Sequence, residues 1–306
     1  MPDRLFDYEY WDNTTFNGKV NMALEEYMLW RAAETKKAMV RFYSFTNDTV
    51  VLGYAQATDA LKSNEVDVVR RATGGSHVQT GKNIIAYSFA VPRDGSFNNF
   101  EDMRRYYAEH VANAFSSLGI DNVEPDNKAS SVNVDGKVAA AHAIIWGVNS
   151  ALIHGLIVIN PYDMEKLAQR IYLGTRVIGG KVYSDYDAIR NIPAMAEILP
   201  ELAKNSSERT EAIKKILAEV ILREVTRGKH ENKAIDDKII NASWPLLERR
   251  YGKQLWTSTH NPVFTKVEIE EIPGEELDGK LKEKLGYCMY IQVPDKDFKR
   301  MAEFGV

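Results

Sequence analysis

The longest stretch of this chain without a formally charged side chain runs from Val138 to Tyr162. A stretch of this length can form a membrane-spanning helix or a pair of buried strands. Histidine, glycine, asparagine, serine and proline residues interrupt it, and a spanning helix would have to hide their polar groups in lipid. We therefore predict two buried strands, over 138–146 and 151–160, joined by a turn at 147–150, and no contact with a membrane.

The remaining elements of the first 190 residues are strands and helices that do not alternate one for one. Hydrophobic periodicity indicates helices over 21–33, 101–118 and 161–173, and strands over 39–45, 49–53, 66–70 and 84–91. This order favours an α+β fold, with a mixed or antiparallel sheet packed with helices, over a doubly wound parallel sheet. We predict a core domain over 1–190, a helical extension of the same domain over 191–256, and a short C-terminal segment of strands and a helix over 257–306.

Charge and cysteine content narrow the class of function. The net charge is −4, whereas a protein that mainly grips nucleic acid presents a basic face, so we predict no nucleic-acid partner. Cys288 is the single cysteine, so no intrachain disulfide can form, and the first residues contain no apolar segment typical of a targeting peptide. We expect a reducing, cytoplasmic compartment.

Two arginines followed by a small-residue loop form the most informative segment of the chain. Arg70 and Arg71 end a predicted strand, and Thr73-Gly74-Gly75-Ser76 follows them. Glycines let a ligand approach the backbone closely, and an arginine can bind a carboxylate or phosphate through two hydrogen bonds. Because adjacent strand residues face opposite sides, we predict that Arg71 faces a ligand pocket and Arg70 does not. From the residues alone, the alternative is a hairpin turn with solvated arginines.

This segment resembles the Arg-Arg-x-Ser/Thr-Gly-Gly-Gly-x-Val motif of lipoate–protein ligases and the related octanoyltransferases. Other motifs of that family are matched in the same order along the chain, and together the matches cover roughly residues 15–260. The matching segments are Asn21–Glu26, Arg41–Gln56, His154-Gly155 and Tyr251–Trp256.

The resemblance implies the fold shared with biotin protein ligases and class II aminoacyl-tRNA synthetases. It implies that ATP, with magnesium, activates lipoate or octanoate as an acyl-adenylate. A lysine of a lipoyl carrier domain would then take the acyl group. That carrier would be the E2 component of a 2-oxoacid dehydrogenase or a protein like the H protein of glycine cleavage. Relatives often need an accessory domain, and residues 257–306 do not resemble one, so we expect a separate accessory subunit.

The resemblance also implies where the site lies. The lipoyl chain and the adenylate would be bound by Arg71, Thr73, Gly74, Gly75, Ser76, His77, Asn83, His142 and His154. The family's Asn-Asp pair, which helps to hold metal and phosphate, is replaced by Ser130-Ser131. Asp126 and Asp135 are therefore the candidate magnesium ligands. The histidines have no metal-binding spacing.

The family's catalytic lysine follows an Asp-Gly turn, and two alignments place different residues at its position. With a one-residue deletion in the turn, Lys137 matches the lysine, and without it Val138 does. A shift of one residue turns a strand side chain to the opposite face, although a β-bulge could restore the facing of Lys137. We predict that Lys137 is the catalytic lysine.

Two other functions fit the same residues. If Val138 holds the lysine's position, the chain is a non-catalytic paralogue that binds a lipoyl ligand, a carrier or a partner subunit. If a nucleophile lies near Gly75, the chain is an octanoyl or lipoyl transferase. Cys288 lies outside the matched region and reads as a small buried hydrophobe rather than that nucleophile.

Overall fold

The computed structural model describes residues 6–58, 61–62, 67–126, 130–178, 181–200 and 206–259. Cys288 and most of the segment predicted over 257–306 lie outside these residues. The strands are β1 (Tyr8–Phe16), β2 (Ala38–Phe45), β3 (Thr49–Leu52), β4 (Asp67–Arg70), β5 (Val78–Thr80), β6 (Ile84–Pro92), β7 (Val123–Asp126), β8 (Ser131–Val134), β9 (Lys137–Trp146), β10 (Ser150–Val158), β11 (Thr175–Ile178), β12 (Lys181–Ser184) and β13 (Glu231–Lys233). The helices are α1 (Gly18–Thr35), α2 (Phe100–Ser117), α3 (Met164–Arg170), α4 (Asp185–Arg190), α5 (Met195–Ile198), α6 (Ser206–Thr226), α7 (Asp237–Leu246) and α8 (Gln254–Thr259), with a π-helical turn over Leu247–Tyr251.

Eight strands form one mixed sheet, in the order β13-β1-β2-β6-β10-β9-β8-β7. The pairs β13–β1 and β1–β2 are parallel, and the others are antiparallel. This sheet confirms the predicted α+β fold, and β9 and β10 confirm that the uncharged stretch is a pair of neighbouring strands. Among the described residues, no helix is both long and apolar enough to span a membrane.

Side-chain alternation divides the core into two layers, one on each side of this sheet. Val40 and Phe42 pack with α2 and α6 on the side that we call the α2 face. Met39 and Tyr43 pack with α1 and α7 on the opposite side, the α1 face. The period of two along β2 therefore decides which residues can reach each site on the sheet.

The two long helices of the first half begin at asparagine caps. Asn17 accepts a hydrogen bond from the Val20 amide, and Asn99 accepts one from the Asp102 amide. Such caps satisfy amides that have no partner within the helix, which fixes where each helix starts. The predicted helix over 101–118 is confirmed as α2, and Gly119 follows it with a φ of +79°.

A smaller sheet, in the order β4-β3-β5, connects the α1 face to α3. Val51 and Val69 join the core of the α1 face, whereas Val50 and Leu52 pack against α3. The loop between β4 and β5 therefore emerges beside the α1 face.

The region predicted as a helical extension, 191–256, packs on both faces of the main sheet. Ile213, Leu217 and Ile221 of α6 join the core of the α2 face, and Ile239 and Leu246 of α7 join that of the α1 face. The same region also contributes β13 to the edge of the sheet, an element that the helical periodicity did not indicate.

Candidate active site

The glycine-containing segment forms a loop, residues 71–77, that packs against the end of β3. The Arg71 amide donates to the Leu52 carbonyl at 3.0 Å, and the Tyr54 amide donates to the Thr73 carbonyl at 2.8 Å. A Cβ atom on Gly53 would lie 1.7 Å from the Gly75 carbonyl oxygen, and Gly75 has a φ of +90°. Only glycine at both positions allows these two backbones to approach so closely.

Arg71 holds this loop together from within. Its Nε donates to the Thr73 Oγ1 at 2.9 Å, and its Nη2 donates to the carbonyls of Gly74 at 2.6 Å and Ser76 at 2.9 Å. Its Nη1 donates to the Val51 carbonyl at 3.2 Å. Burial lowers the pKa of Arg71 to about 10, so the guanidinium remains cationic at neutral pH.

Arg70 is also buried, but it contacts the segments 53–56 and 256–257 rather than the loop. Its guanidinium donates to five backbone carbonyls, at 2.6–3.1 Å, on Gly53, Tyr54, Gln56, Trp256 and Thr257. The Trp256 indole donates back to the Arg70 carbonyl at 2.9 Å. Arg70 thus ties α8 to the small sheet, while Arg71 contacts the loop; that Arg71 faces a ligand stays a prediction.

Beneath the loop, three side chains form a continuous hydrogen-bonded row that we call the Glu25–His154–Thr73 chain. The His154 Nδ1 lies 2.8 Å and 3.0 Å from the two carboxylate oxygens of Glu25. The His154 Nε2 lies 2.7 Å from the Thr73 Oγ1. All three residues are buried, and they come from α1, β10 and the loop.

Further donors surround the Glu25 carboxylate. The Tyr43 hydroxyl donates to it at 2.6 Å, and the Ser88 hydroxyl donates to the same oxygen. Burial alone would raise the pKa of Glu25, but the charge of His154 and the hydrogen bonds from His154, Ser88 and Tyr43 outweigh it, so the pKa lies below its usual value. The ionised carboxylate keeps a proton on the His154 Nδ1 and leaves Nε2 facing Thr73.

Among the described residues, positive charge exceeds negative charge around Glu25. Arg41 is fully buried, with burial lowering its pKa to about 10, and it donates to the Asn21 side chain at 2.7 Å. Its Nε and Nη1 have no hydrogen-bond partner within the described structure. Against the effect of burial, the negative charge of Glu25 raises the pKa of both Arg41 and Arg71. Two buried guanidiniums therefore interact with the same carboxylate, and this charge balance favours an anionic ligand nearby.

The other residues predicted from the loop motif have different surroundings. Gly75 and Ser76 are exposed, and the His77 Nδ1 lies 2.6 Å from the Gln56 amide nitrogen. Asn83 lies at the start of β6, where its side-chain amide donates to the Asn160 carbonyl at 3.3 Å. His77 therefore belongs to the loop, whereas Asn83 precedes β6 and contacts Asn160 rather than the loop.

His142 lies on the other side of the sheet from His154. It pairs with Gly155 across β9 and β10, and its Nε2 lies 2.5 Å from the Tyr87 hydroxyl on the α2 face. Burial, followed by the charge of His154, lowers the pKa of His142 to about 4. Ala143, not His142, shares a face with His154.

The β8–β9 hairpin contains the two candidates for the catalytic position. Lys137 pairs with Val134, which is buried in the core of the α2 face, whereas Val138 pairs with Asn133 on the α1 face. The anticipated bulge is present in β9 between Val138 and Ala140, but it leaves Val138, 40% exposed, on the side of His154. Lys137 is exposed at the edge of the opposite face; its catalytic role stays a prediction, and the register of β9 favours the alternative, Val138, at that position.

The candidate magnesium ligands lie apart from the loop. The Asp135 carboxylate accepts a hydrogen bond from the Asn122 side chain at 2.8 Å, in the turn of the β8–β9 hairpin. Among the described residues, no three or more His, Cys, Asp or Glu side chains are grouped so that they could hold a metal ion. The described residues therefore do not form a complete magnesium site by themselves, whereas a magnesium ion held by phosphates needs only one or two carboxylates.

Sequence reasoning missed Glu25, although a signal for it was available. Asn21, Glu25 and Leu29 are spaced by four residues in α1 and therefore lie on one stripe of the helix. Because leucine prefers the protein interior, the same periodicity places Asn21 and Glu25 in the interior as well. A buried carboxylate needs partners, and His154 supplies one.

Comparisons with known proteins bear on the family and the fold of the chain. Residues 17–219 match the sequence model of the lipoyl protein ligase A/B catalytic domain. Lipoate–protein ligase 1 of Staphylococcus aureus is 23% identical over 264 residues, covering 83% of this chain and 74% of that protein. Octanoyltransferase LipM of Carboxydothermus hydrogenoformans is 40% identical over 78 residues, covering 23% of this chain and 29% of that one. Because the family match spans more than half of the sequence, the chain belongs to the lipoyl protein ligase A/B catalytic-domain family.

Two solved structures share the fold. A lipoate–protein ligase A bound with ATP has a TM-score of 0.64 at 17% identity, covering 83% of this chain and 99% of that one. A bipartite lipoate protein ligase of Thermoplasma acidophilum, from a study that includes its E2 lipoyl domain, has a TM-score of 0.65 at 17% identity, covering 83% of this chain and 96% of that one. At this identity the likeness shows the fold.

Proposed function

We propose that this chain is a lipoate–protein ligase, which activates lipoate or octanoate with ATP and transfers the acyl group to a lysine of a lipoyl carrier domain. The main support is the loop of residues 71–77, clamped by Arg71 above the buried Glu25–His154 pair. A loop of this kind, beside excess buried positive charge, suits a carboxylate that becomes an acyl phosphate. The family and the fold of an ATP-bound relative support the same chemistry.

Each residue has a definite task in this proposal. Arg71 holds the carbonyls of the loop so that the exposed backbone at Gly75 and Ser76 can approach the adenylate. Arg41 and Arg71 together offset the negative charge of the acyl carboxylate and the α-phosphate. The closed packing beneath the loop keeps water from the mixed anhydride.

ATP supplies the energy for the first half-reaction. Since the described carboxylates do not form a metal site, magnesium would arrive as the complex with the triphosphate, held mainly by phosphate oxygens and water. No step of the proposed reaction depends on a magnesium ion bound by Asp126 or Asp135.

The second half-reaction requires a partner with an exposed lysine. The archaeal structural relative was studied with its E2 lipoyl domain, so a lipoyl carrier of the E2 or H-like type is the proposed acceptor. That relative is also bipartite, which supports our expectation that a separate accessory subunit assists this chain. Full-rate lipoylation of a carrier by the purified single chain would contradict that expectation.

ATP–pyrophosphate exchange tests the first half-reaction directly. Lipoate, octanoate and biotin are supplied in turn, with the accessory subunit where it is known, and we expect exchange with lipoate or octanoate but not with biotin. Arg71→Ala should abolish exchange, whereas Arg105→Ala, an exposed arginine on α2, should leave it unchanged. Exchange with none of the acids would contradict the ligase proposal.

One observation favours a second candidate, a non-catalytic paralogue. Val138, rather than Lys137, lies on the face of His154, so no β9 ammonium lies beside the expected adenylate. Such a paralogue would bind lipoate or a lipoylated carrier without exchanging pyrophosphate. Calorimetric binding of lipoate by a chain that fails the exchange assay would select this second function.

A further inference from the structure

The Glu25–His154–Thr73 chain has the geometry of an activated nucleophile. A hydroxyl, an imidazole and a carboxylate lie in sequence, at 2.7 Å from Thr73 Oγ1 to His154 Nε2 and at 2.8 Å from His154 Nδ1 to Glu25 Oε1. In such a row the carboxylate orients the imidazole, and the imidazole accepts the proton of the hydroxyl as it attacks.

The Arg71 contact fixes where the hydroxyl proton lies. The Arg71 Nε donates to the Thr73 Oγ1 at 2.9 Å and so occupies one of its lone pairs, which directs the hydroxyl proton away from Arg71. The His154 Nε2, at 2.7 Å, is the group within reach that can take this proton. The same guanidinium would stabilise negative charge on this oxygen during attack.

The loop is open at Gly74, the residue that follows Thr73 in the chain. Thr73 itself is 1% exposed, but a Cβ atom on the neighbouring Gly74 would meet no other atom within 4 Å. Gly75 and Ser76 are exposed beyond it. The open part of the loop therefore begins at the residue after Thr73, while the Thr73 side chain is buried.

We propose that Thr73 accepts the activated acyl group as an oxygen ester before the carrier lysine takes it. This inference rests on the acyl and carrier specificity of the proposed function, but not on its ATP-dependent step. It would give the chain a transferase activity, because an acyl thioester could supply the acyl group as well as an adenylate.

The two steps balance without a further reactant. Thr73 Oγ1 attacks the acyl carbonyl carbon, its proton passes to His154 Nε2, and the bond to sulfur or phosphate breaks. A thiolate leaving group takes that proton, whereas the phosphate of AMP leaves as an anion and the proton is released to solvent. The amine of the carrier lysine then attacks the ester, the C–O bond breaks, and Thr73 recovers a proton from the amine through His154.

Mass spectrometry without a carrier tests this proposal. The purified chain is incubated either with octanoyl-coenzyme A or with octanoate, ATP and Mg²⁺, quenched in acid, and its peptides are mapped. With at least one donor we expect one octanoyl group on Thr73, removed by hydroxylamine. The carrier domain, added before the quench, should receive that group on its lysine.

Variants separate chemistry from loop structure. Thr73→Val keeps the shape without the hydroxyl and should form no ester, whereas Thr73→Ser should retain acylation. His154→Gln should slow acylation by about 10²–10⁴-fold. Thr80→Val is the matched control, because Thr80 is another buried threonine whose hydroxyl donates to the Thr49 carbonyl in the small sheet; it should acylate like the unaltered chain.

The outcomes distinguish this proposal from the ligase function. If the unaltered chain exchanges pyrophosphate but carries no octanoyl ester from either donor, the inference is overturned and the ligase function stands. A label on a residue other than Thr73, or carrier octanoylation by Thr73→Val at the unaltered rate, also overturns it. If the thioester acylates Thr73 while no acid supports exchange, the ligase function fails and this inference stands.

Discussion

Two parts of the α1 face differ sharply in how their polar groups are arranged. Under the loop of residues 71–77, the Glu25–His154–Thr73 chain is buried, and each side chain in it has a hydrogen-bond partner. At the β8–β9 hairpin, the same face presents Val138 and directs Lys137 to the opposite side. The part of the site under the loop, which would hold the acyl group, therefore has a complete hydrogen-bonded network. The hairpin, which would bring a lysine to the phosphate, departs from the family pattern.

A second contrast lies within α1 itself. Glu25 and Glu26 are adjacent and both buried, but Glu26 binds Arg250 at 2.5 Å and Tyr251 at 2.7 Å, near the end of the described chain. Glu26 thus secures α1 to the π-helical turn, while Glu25 faces the loop. Neighbouring carboxylates on one helix can serve structure and site separately, because successive side chains point about 100° apart.

The largest expected effect follows from removing the carboxylate of the buried chain. Glu25→Ala would leave Arg41 and Arg71 without the carboxylate whose charge acts on both of them. Removing one partner of a buried charged network typically costs about 3–5 kcal/mol, which urea unfolding would measure. Glu34→Ala, an exposed glutamate on the same helix, should change the stability by less than about 0.5 kcal/mol. If Glu25→Ala and Glu34→Ala lost equal free energies of unfolding, the network under the loop would not be the stabilising feature that we describe.

The next effect separates the two adjacent arginines. Arg71→Ala should weaken lipoate binding by about 2–4 kcal/mol, because the loop loses its clamp and the site loses a buried cation. Arg70→Ala should instead lower the stability, since it removes the bonds between the small sheet and α8, with little change in lipoate affinity. Calorimetric titration of both folded variants measures the difference, and the reverse pattern would transfer the ligand-facing role to Arg70.

A smaller effect lies on the α2 face, as a dependence of stability on pH. The pKa of His142 is about 4 in the folded chain and about 6.5 when unfolded. As the pH falls below 6.5, the unfolded chain binds the proton first, so the stability due to the neutral imidazole is present above that pH and is lost progressively down to pH 4. We expect this loss to be about 1–3 kcal/mol.

His142→Asn tests the pH dependence, because asparagine retains an acceptor for the Tyr87 hydroxyl but does not titrate there. Urea unfolding at several pH values should give a shallower decline for the variant between pH 6.5 and pH 4. Both proteins keep Glu25, so its contribution at acid pH cancels in the comparison. Parallel curves would show that His142 is not the group responsible.

The sequence predicted the loop and the strands β2, β3, β4, β6, β9 and β10, because these are local patterns, but it missed the other strands that the structure describes. The stretch without charged residues predicted β9 and β10, and Arg71 with the glycines that follow it predicted the loop. The Glu25–His154 contact could not be predicted in the same way, because it joins residues 129 positions apart. The facing of Lys137 depended on one extra residue in β9, which reverses a side chain without changing the hydrophobic pattern.

The smallest expected effect tests the β8–β9 hairpin. Lys137 is exposed and pairs with Val134 on the α2 face, so Lys137→Ala should change the stability by less than about 0.5 kcal/mol. By the register of β9, it should also leave the rate of acyl transfer to a carrier unchanged. Val138→Lys would place an ammonium on the α1 face, where a preorganised charge typically contributes about 10²–10³ in rate. A folded Lys137→Ala variant that loses acyl transfer would show instead that Lys137 reaches the adenylate around the edge of the sheet, and the two parts of the site would then form one complete ligase centre.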